Sequence, residues 1–152
     1  IDSGTYYSSI NVGNYNTCGI TNLGVLKCWG YNYDGQVGDG TTVNKISPTI
    51  IDSGTPYSQI ANNSSHTCGI TKTGILKCWG YNYYGQLGEG TTTNRLVPTI
   101  ADSGTSYKSI QLSYNRTFGI TTQNSLKGWG DVTYLGIPTL NSMHLAPGAT
   151  VP

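Results

Sequence analysis

The sequence predicts an all-β chain made of β-propeller blades, and three observations carry that reading. A stretch of about fifty residues is written three times in tandem. Each copy divides into four short strand candidates, the count of a propeller blade. The central strand pair carries apolar residues on both faces, as a sheet held between two neighbours requires.

The copies align without insertion. Ile1-Asp2-Ser3-Gly4-Thr5 returns as Ile51-Asp52-Ser53-Gly54-Thr55, and again as Asp102-Ser103-Gly104-Thr105. The first two copies share about two-thirds of their residues. The expected organisation is repeat one over 1–50, repeat two over 51–100, a degenerate capping repeat over 101–145, and a tail over 146–152.

The second copy shows the elements in order. Tyr57 to Ala61 alternates around Ile60 and reads as the first strand. His66 to Thr71, holding Cys68 and Ile70, is the second, and Ile75 to Trp79, holding Leu76 and Cys78, is the third. Pro98 to Ala101 is the fourth, entered by proline as a first or edge position allows. Turn residues separate them at Asn62-Asn63-Ser64, at Lys72-Thr73-Gly74 and along the glycine-rich stretch from Gly80 to Asn94.

The middle pair reads as a hairpin. Cys68 and Cys78 are symmetric about Thr73, so they face each other, with Gly74 in the left-handed position of a three-residue loop. Cys68, Ile70, Leu76 and Cys78 share one face, and Trp79 lies on the other, opposite Thr67.

Composition narrows the function. Charged residues are 10% of the chain and the net charge is +1, with no basic run to hold nucleic acid. Twelve tyrosines and three tryptophans supply buried area, and 21 glycines suit many tight turns. No stretch approaches the ~20 apolar residues of a membrane helix, so no membrane insertion is expected. The chain starts at Ile1 with no signal peptide, which reads as a mature or trimmed product, or as part of something longer.

Cys18 and Cys28 match Cys68 and Cys78, while the third copy replaces both together, with Phe118 and Gly128. Joint loss is the behaviour of paired thiols, so disulfides Cys18–Cys28 and Cys68–Cys78 are expected, with an oxidising compartment. Four reduced core cysteines are the alternative. Structural zinc sites use C-x₂₋₄-C pairs, whereas these thiols stand ten apart. His66 does not add a ligand, because its counterparts are Asn16 and Arg116. No metal or cofactor is expected.

The stretches His66-Thr67-Cys68-Gly69-Ile70-Thr71, Leu76-Lys77-Cys78-Trp79-Gly80 and Gly85-Gln86-Leu87-Gly88-Glu89-Gly90-Thr91-Thr92 resemble the RCC1-type repeat. The third copy follows the pattern as far as Gly130. The Cys-bearing form is similar to a bacterial secreted branch of that family. The resemblance implies seven-bladed propellers that bind other proteins through blade-edge loops, from a guanine-nucleotide exchange factor to a β-lactamase inhibitor. Two departures stand out. Three repeats cannot close a seven-bladed ring, and the third runs Asp131-Val132-Thr133-Tyr134-Leu135-Gly136-Ile137-Pro138 where the Gly-Gln-Leu-Gly loop belongs.

The candidate binding residues are loop tyrosines. Gly30-Tyr31-Asn32-Tyr33-Asp34-Gly35-Gln36 returns as Gly80-Tyr81-Asn82-Tyr83-Tyr84-Gly85-Gln86. Tyr31, Tyr33, Tyr81, Tyr83 and Tyr84 suit a partner surface, since tyrosine is a rigid amphipathic contact group. The competing reading has Asn and Gln bracing the turn while Tyr packs on the next blade. Gly38-Asp39-Gly40 and Gly88-Glu89-Gly90 offer one carboxylate per repeat, too few for calcium. Asp2, Asp52 and Asp102 recur in Asp-Ser-Gly turns and read as turn residues. His66 and His144, the two histidines, sit in no catalytic motif. Sequons stand at Asn62, Asn63 and Asn115.

The expected function is therefore a secreted or cell-surface, non-enzymatic structural or protein-interaction module, with a subunit of an extracellular assembly as one form. Its partner is a protein or a further copy bound through blade edges. A soluble protein-binding inhibitor is the alternative. Exchange-factor activity on a GTPase fits poorly with disulfides and with so few blades.

Overall fold

The structure, a computed structural model, describes residues 2–131. Blade 1 is β1 (Tyr7–Val12), β2 (Asn16–Thr21), β3 (Leu26–Gly30) and β4 (Lys45–Ile51). Blade 2 is β5 (Tyr57–Asn62), β6 (His66–Thr71), β7 (Leu76–Gly80) and β8 (Arg95–Ile100). The third sheet holds β9 (Tyr107–Ser113), β10 (Arg116–Thr121) and β11 (Leu126–Gly130). Each is an antiparallel meander with strands paired in chain order, so the fold is all-β and blade-like. The shortened stretch after Asp131, His144 and the tail over 146–152 lie outside the described residues.

The hairpin register follows from the loop. Cys68 pairs with Cys78 and Thr67 with Trp79, as the symmetry about Thr73 predicts. Gly74 closes the loop at φ +84°, a conformation an L side chain adopts only under strain.

The fourth strand departs from expectation. It begins at Arg95 rather than Pro98, as its counterpart begins at Lys45. Cys78 pairs with Thr99 and Gly80 with Arg95, so a two-residue step on β7 faces a four-residue step on β8. Pro98 sits inside that bulge on an edge strand, where its missing N–H is tolerated. The third strand also starts one residue late, at Leu76, because Ile75 bridges instead to Ser106 of the next repeat.

The core lies between the blades. Tyr57, Ile60 and Trp79 from one face of blade 2 pack on Cys18, Ile20, Leu26, Cys28 and Val37 of blade 1. The opposite face presents Ala61, Cys68, Ile70, Leu76, Cys78 and Leu87 to Tyr107, Ile110 and Trp129. Blade 2 is thus apolar on both faces for the reason the sequence suggested. The face of blade 1 equivalent to the Ile60 face is open, with Ile10 61% exposed where Ile60 is 6% exposed.

One peptide group per blade stitches these layers together. The Gln36 carbonyl accepts from Thr67 Oγ1 at 2.8 Å and from Trp79 Nε1 at 3.1 Å. One repeat later the Gln86 carbonyl accepts from Thr117 Oγ1 at 2.8 Å. At the first junction both buried donors are thereby paired, whereas at the second Thr117 is paired and the buried Trp129 Nε1 has no hydrogen-bond partner.

The Asp-Ser-Gly turns do more than turn the chain. Asp52 accepts from Tyr57 Oη at 2.6 Å and pairs with Lys77 Nζ at 2.6 Å, five and twenty-five residues on. Asp2 holds Tyr7 and Lys27 the same way, and Asp102 holds Tyr107 and Lys127. Burial opposes ionisation of Asp52, but the Lys77 and Tyr57 hydrogen bonds outweigh it and lower its pKa. The Tyr57 ring lies against Gly69, where an added β-carbon would stand 2.7 Å from Cε1. Glycine on β6 is the consequence of that close approach.

Candidate partner-binding face

The loop tyrosines stand on scaffolds that their own repeat builds. After Gly30 the chain leaves the sheet, and Asn32, fully buried, becomes the hub of the loop. Its Nδ2 donates to Asp39, to the Thr41 carbonyl at 2.9 Å and to the Val43 carbonyl at 3.1 Å, while its Oδ1 accepts from Val37 N at 2.9 Å. Asn82 repeats the pattern with Glu89, Thr91, Thr93 and Leu87. Gln36 and Gln86, also fully buried, accept from the backbone N–H of residues 34 and 84. The expectation that Asn and Gln brace the turn describes their contacts.

The carboxylates of the two Gly-flanked turns are consumed in the same bracing. Asp39 pairs with Lys45 at 2.5 Å and Glu89 with Arg95 at 2.9 Å. For each, burial works to raise the pKa and the surrounding hydrogen bonds bring it below the usual value. No group of three or more metal-ligating side chains occurs among the described residues.

On this frame the tyrosines project outward. Tyr31 stacks beside Tyr33 with ring centroids 6.4 Å apart, and Tyr15 meets Tyr31 edge-on at 6.1 Å. In blade 2, Tyr81 lies beside Tyr83 at 6.5 Å, and Tyr84 is edge-on to both, at 6.4 and 5.2 Å. Of the five loop tyrosines expected from the sequence, Tyr33 and Tyr83 are the most open, at 73% and 68% exposed. The tyrosines that do pack on a neighbouring blade are Tyr57 and Tyr107, which lie on strands.

Tyr15 was not among the residues expected from the sequence. It lies in the β1–β2 turn, and its carbonyl accepts from Tyr31 N at 2.8 Å. The pairing of Asn16 with Gly30 brings the two loops together, and that register could have been counted from Cys18 and Cys28.

The cysteines sit back in the core. Cys18 and Cys28 have their sulfurs 2.16 Å apart, and Cys68 and Cys78 2.15 Å apart, both at disulfide distance. Each pair has Cα atoms 4.1 Å apart, the spacing of a close antiparallel pair. In the third sheet Phe118 faces Gly128 at this register, and the ring lies where a glycine β-carbon would be.

His66 has no vacant ligand position. Thr117 donates to the Gln86 carbonyl, so its oxygen accepts from His66 Nε2 at 3.1 Å, and Asn63 Nδ2 donates to Nδ1 at 3.1 Å. Burial drives its pKa down to about 3, so the ring is neutral. Two sequons are engaged as well. Asn62 Nδ2 donates to Asn16, and Asn63 Nδ2 donates to the Tyr114 carbonyl at 2.9 Å.

No helix among the described residues is long and apolar enough to cross a membrane. No curated protein sequence matches the chain. Solved propellers do. Human WBSCR16 is 23% identical over 85% of this chain and 34% of its own, with a TM-score of 0.78. The yeast RCC1 protein Prp20, solved with Kap60, is 16% identical over 93% of this chain and 36% of its own, at 0.80. The CRINKLY ectodomain of the Arabidopsis thaliana receptor kinase ACR4 is 18% identical over 86% and 42%, at 0.58. The chain therefore spans about a third to two-fifths of the length of these propellers. The profiles of the Regulator of chromosome condensation (RCC1) repeat match residues 7–36, 57–86 and 74–118, more than half of the sequence. On that match the chain belongs to the RCC1 repeat family.

Proposed function

We propose that the chain is a non-enzymatic protein-interaction module, working in an oxidising extracellular setting, whose binding face is the tyrosine-bearing end of its blades. The observation that carries the reading is the pairing of exposed rings with fully buried Asn and Gln braces. Rigid aromatic groups bind with little entropy left to lose, which favours them at interfaces. The titratable groups support a non-catalytic role: five carboxylates are held in ion pairs and His66 is bonded at both nitrogens. Prp20 is itself a protein-binding propeller, as its complex with Kap60 records. The cysteine pairs at disulfide distance support the oxidising setting, and we extend the pairing to the folded protein in its own compartment.

The test is retention of a binding partner by the wild-type chain and by Tyr33→Ala and Tyr83→Ala. Loss of retention with unchanged folding supports the reading; full retention by the double variant overturns it.

A second reading, self-association through blade faces, is favoured by the open side of blade 1. Ile10 and Val12 are 61% and 69% exposed there. A second blade laid on that face would bury them as blade 1 buries Ile60. Native mass decides it: a multiple of the chain mass supports assembly, and a monomer excludes it.

A further inference from the structure

Asp34 differs from the other carboxylates around it. Asp2, Asp39, Asp52, Glu89 and Asp102 each hold a lysine or arginine of their own repeat. No cationic side chain among the described residues is ion-paired with Asp34. Its one side-chain partner is Asn94 of blade 2, whose Nδ2 reaches Oδ1 at 3.5 Å, which leaves Oδ2 without a hydrogen bond.

This carboxylate lines a shallow groove of about 530 Å³ at the junction of blades 1 and 2. Tyr15 and Tyr31 share the groove, and Ser64 and Ser65 close it from blade 2. The serine carbonyls are already engaged, that of Ser64 by Gln36 and that of Ser65 by Tyr81 N. The groove thus offers aromatic rings and one uncompensated negative charge. Burial raises the pKa of Asp34, with only the Asn94 bond acting against it. The charge also reaches Tyr81, which is raised by burial first and then by Tyr84, Asp34 and Tyr83.

The next junction lacks the groove's chemistry. Tyr84 stands where Asp34 would be, and Ser65 and Ser64 take the places of Tyr15 and Asn14 at the head of β6. Tyr84 spends its ring on Tyr81 and Tyr83. The anionic groove therefore belongs to one junction of the described residues and is not a by-product of the repeat.

We infer that the groove lined by Tyr15, Tyr31 and Asp34 is a recognition site for a guanidinium group, the side chain of an arginine on a partner polypeptide. A guanidinium is planar and stacks on tyrosine rings, and its N–H fork fits a carboxylate edge. Binding would satisfy Oδ2 and supply the cation that the other carboxylates already have. The site rests on the protein-interaction reading and names the chemistry of one contact within it.

The probe is acetyl-arginine amide, titrated into the full chain and followed by NMR at the rings of Tyr15 and Tyr31 and at the Asp34 backbone. The neutral isostere acetyl-citrulline amide and methyl glucoside are run beside it. Saturable shifts with the arginine compound alone are expected. Asp34→Asn, which keeps the backbone N–H to Gln36, should weaken them about fivefold or more, and Asp34→Tyr, the residue of the next repeat, should abolish them. Equal shifts with citrulline, an unchanged titration in Asp34→Asn, or stronger shifts with the glucoside would each overturn the site. Such a failure leaves the tyrosine face standing, because retention of a partner across Tyr33→Ala and Tyr83→Ala is read independently.

Discussion

Trp79 donates its indole N–H to the Gln36 carbonyl across the first blade junction, at 3.1 Å. The ring is fully buried against Cys18, Ile20 and Leu26 of blade 1. Trp79→Phe keeps most of the apolar contact and loses the bond, so it should cost about 1–2 kcal/mol. Trp79→Ala also opens a cavity and should cost about 3–5 kcal/mol. Urea unfolding measures both, and equal losses in the two variants would show that the hydrogen bond dominates instead.

The Asp-Tyr-Lys clamps set an acid limit. The pKa of Asp52 is below its unfolded value, so its contribution is present above about pH 4 and lost as pH falls through the folded value. Asp52→Asn should therefore destabilise the chain at pH 7 by about 1–3 kcal/mol. The variant should also lessen the fall in stability as pH drops below about 4. Denaturant midpoints across that window read the effect.

His66 acts over a different range. Its folded pKa is lowered by burial to about 3, so the unfolded chain binds a proton first as pH drops below about 6.5. Stability should fall by about 2 kcal/mol between pH 8 and pH 5 from this one group. His66→Asn, the residue of the first repeat, should remove that slope, whatever its cost at pH 8. A slope that survives the substitution would place its origin elsewhere.

The cysteine pairs give a chemical test. Thiol labelling of the unreduced, denatured protein should find none of the four cysteines reactive. Reduction should then lower stability by about 2–3 kcal/mol per bridge. Labelling of all four would establish a reduced core.

Gly69 should resist substitution. The β-carbon of Gly69→Ala would press on the Tyr57 ring, which the Asp52 clamp holds in place, and should cost about 1–3 kcal/mol. Tyr57→Leu combined with it should recover part of the loss, measured as a double-mutant cycle.

The sequence made the blades readable because their signals are local. Cys68 and Cys78, and Thr67 and Trp79, could be paired by counting outward from Thr73, since an antiparallel hairpin has one register once its loop is known. The start of β8 was not readable. Proline looks like a strand boundary, and only the bulge opposite Trp79 lets it lie inside a strand. The clamps were missed although Tyr7, Tyr57 and Tyr107 and Lys27, Lys77 and Lys127 repeat as strictly as the aspartates. Their partners lie five and twenty-five residues on, and no helix or hairpin rule joins those positions. The loop tyrosines were readable as a group, but Asp34 was not. Its lack of a cation is visible only once the other carboxylates have found theirs.

The stitch through the Gln36 carbonyl has a direction. The acceptor belongs to the earlier blade and the donors to the later one: Thr67 and Trp79 reach back to Gln36, and Thr117 reaches back to Gln86. The two sides of a blade therefore carry different chemistry, a carbonyl toward one neighbour and hydroxyl or indole donors toward the other. A further blade added through the same bonds joins head to tail, so the order of the blades has a polarity.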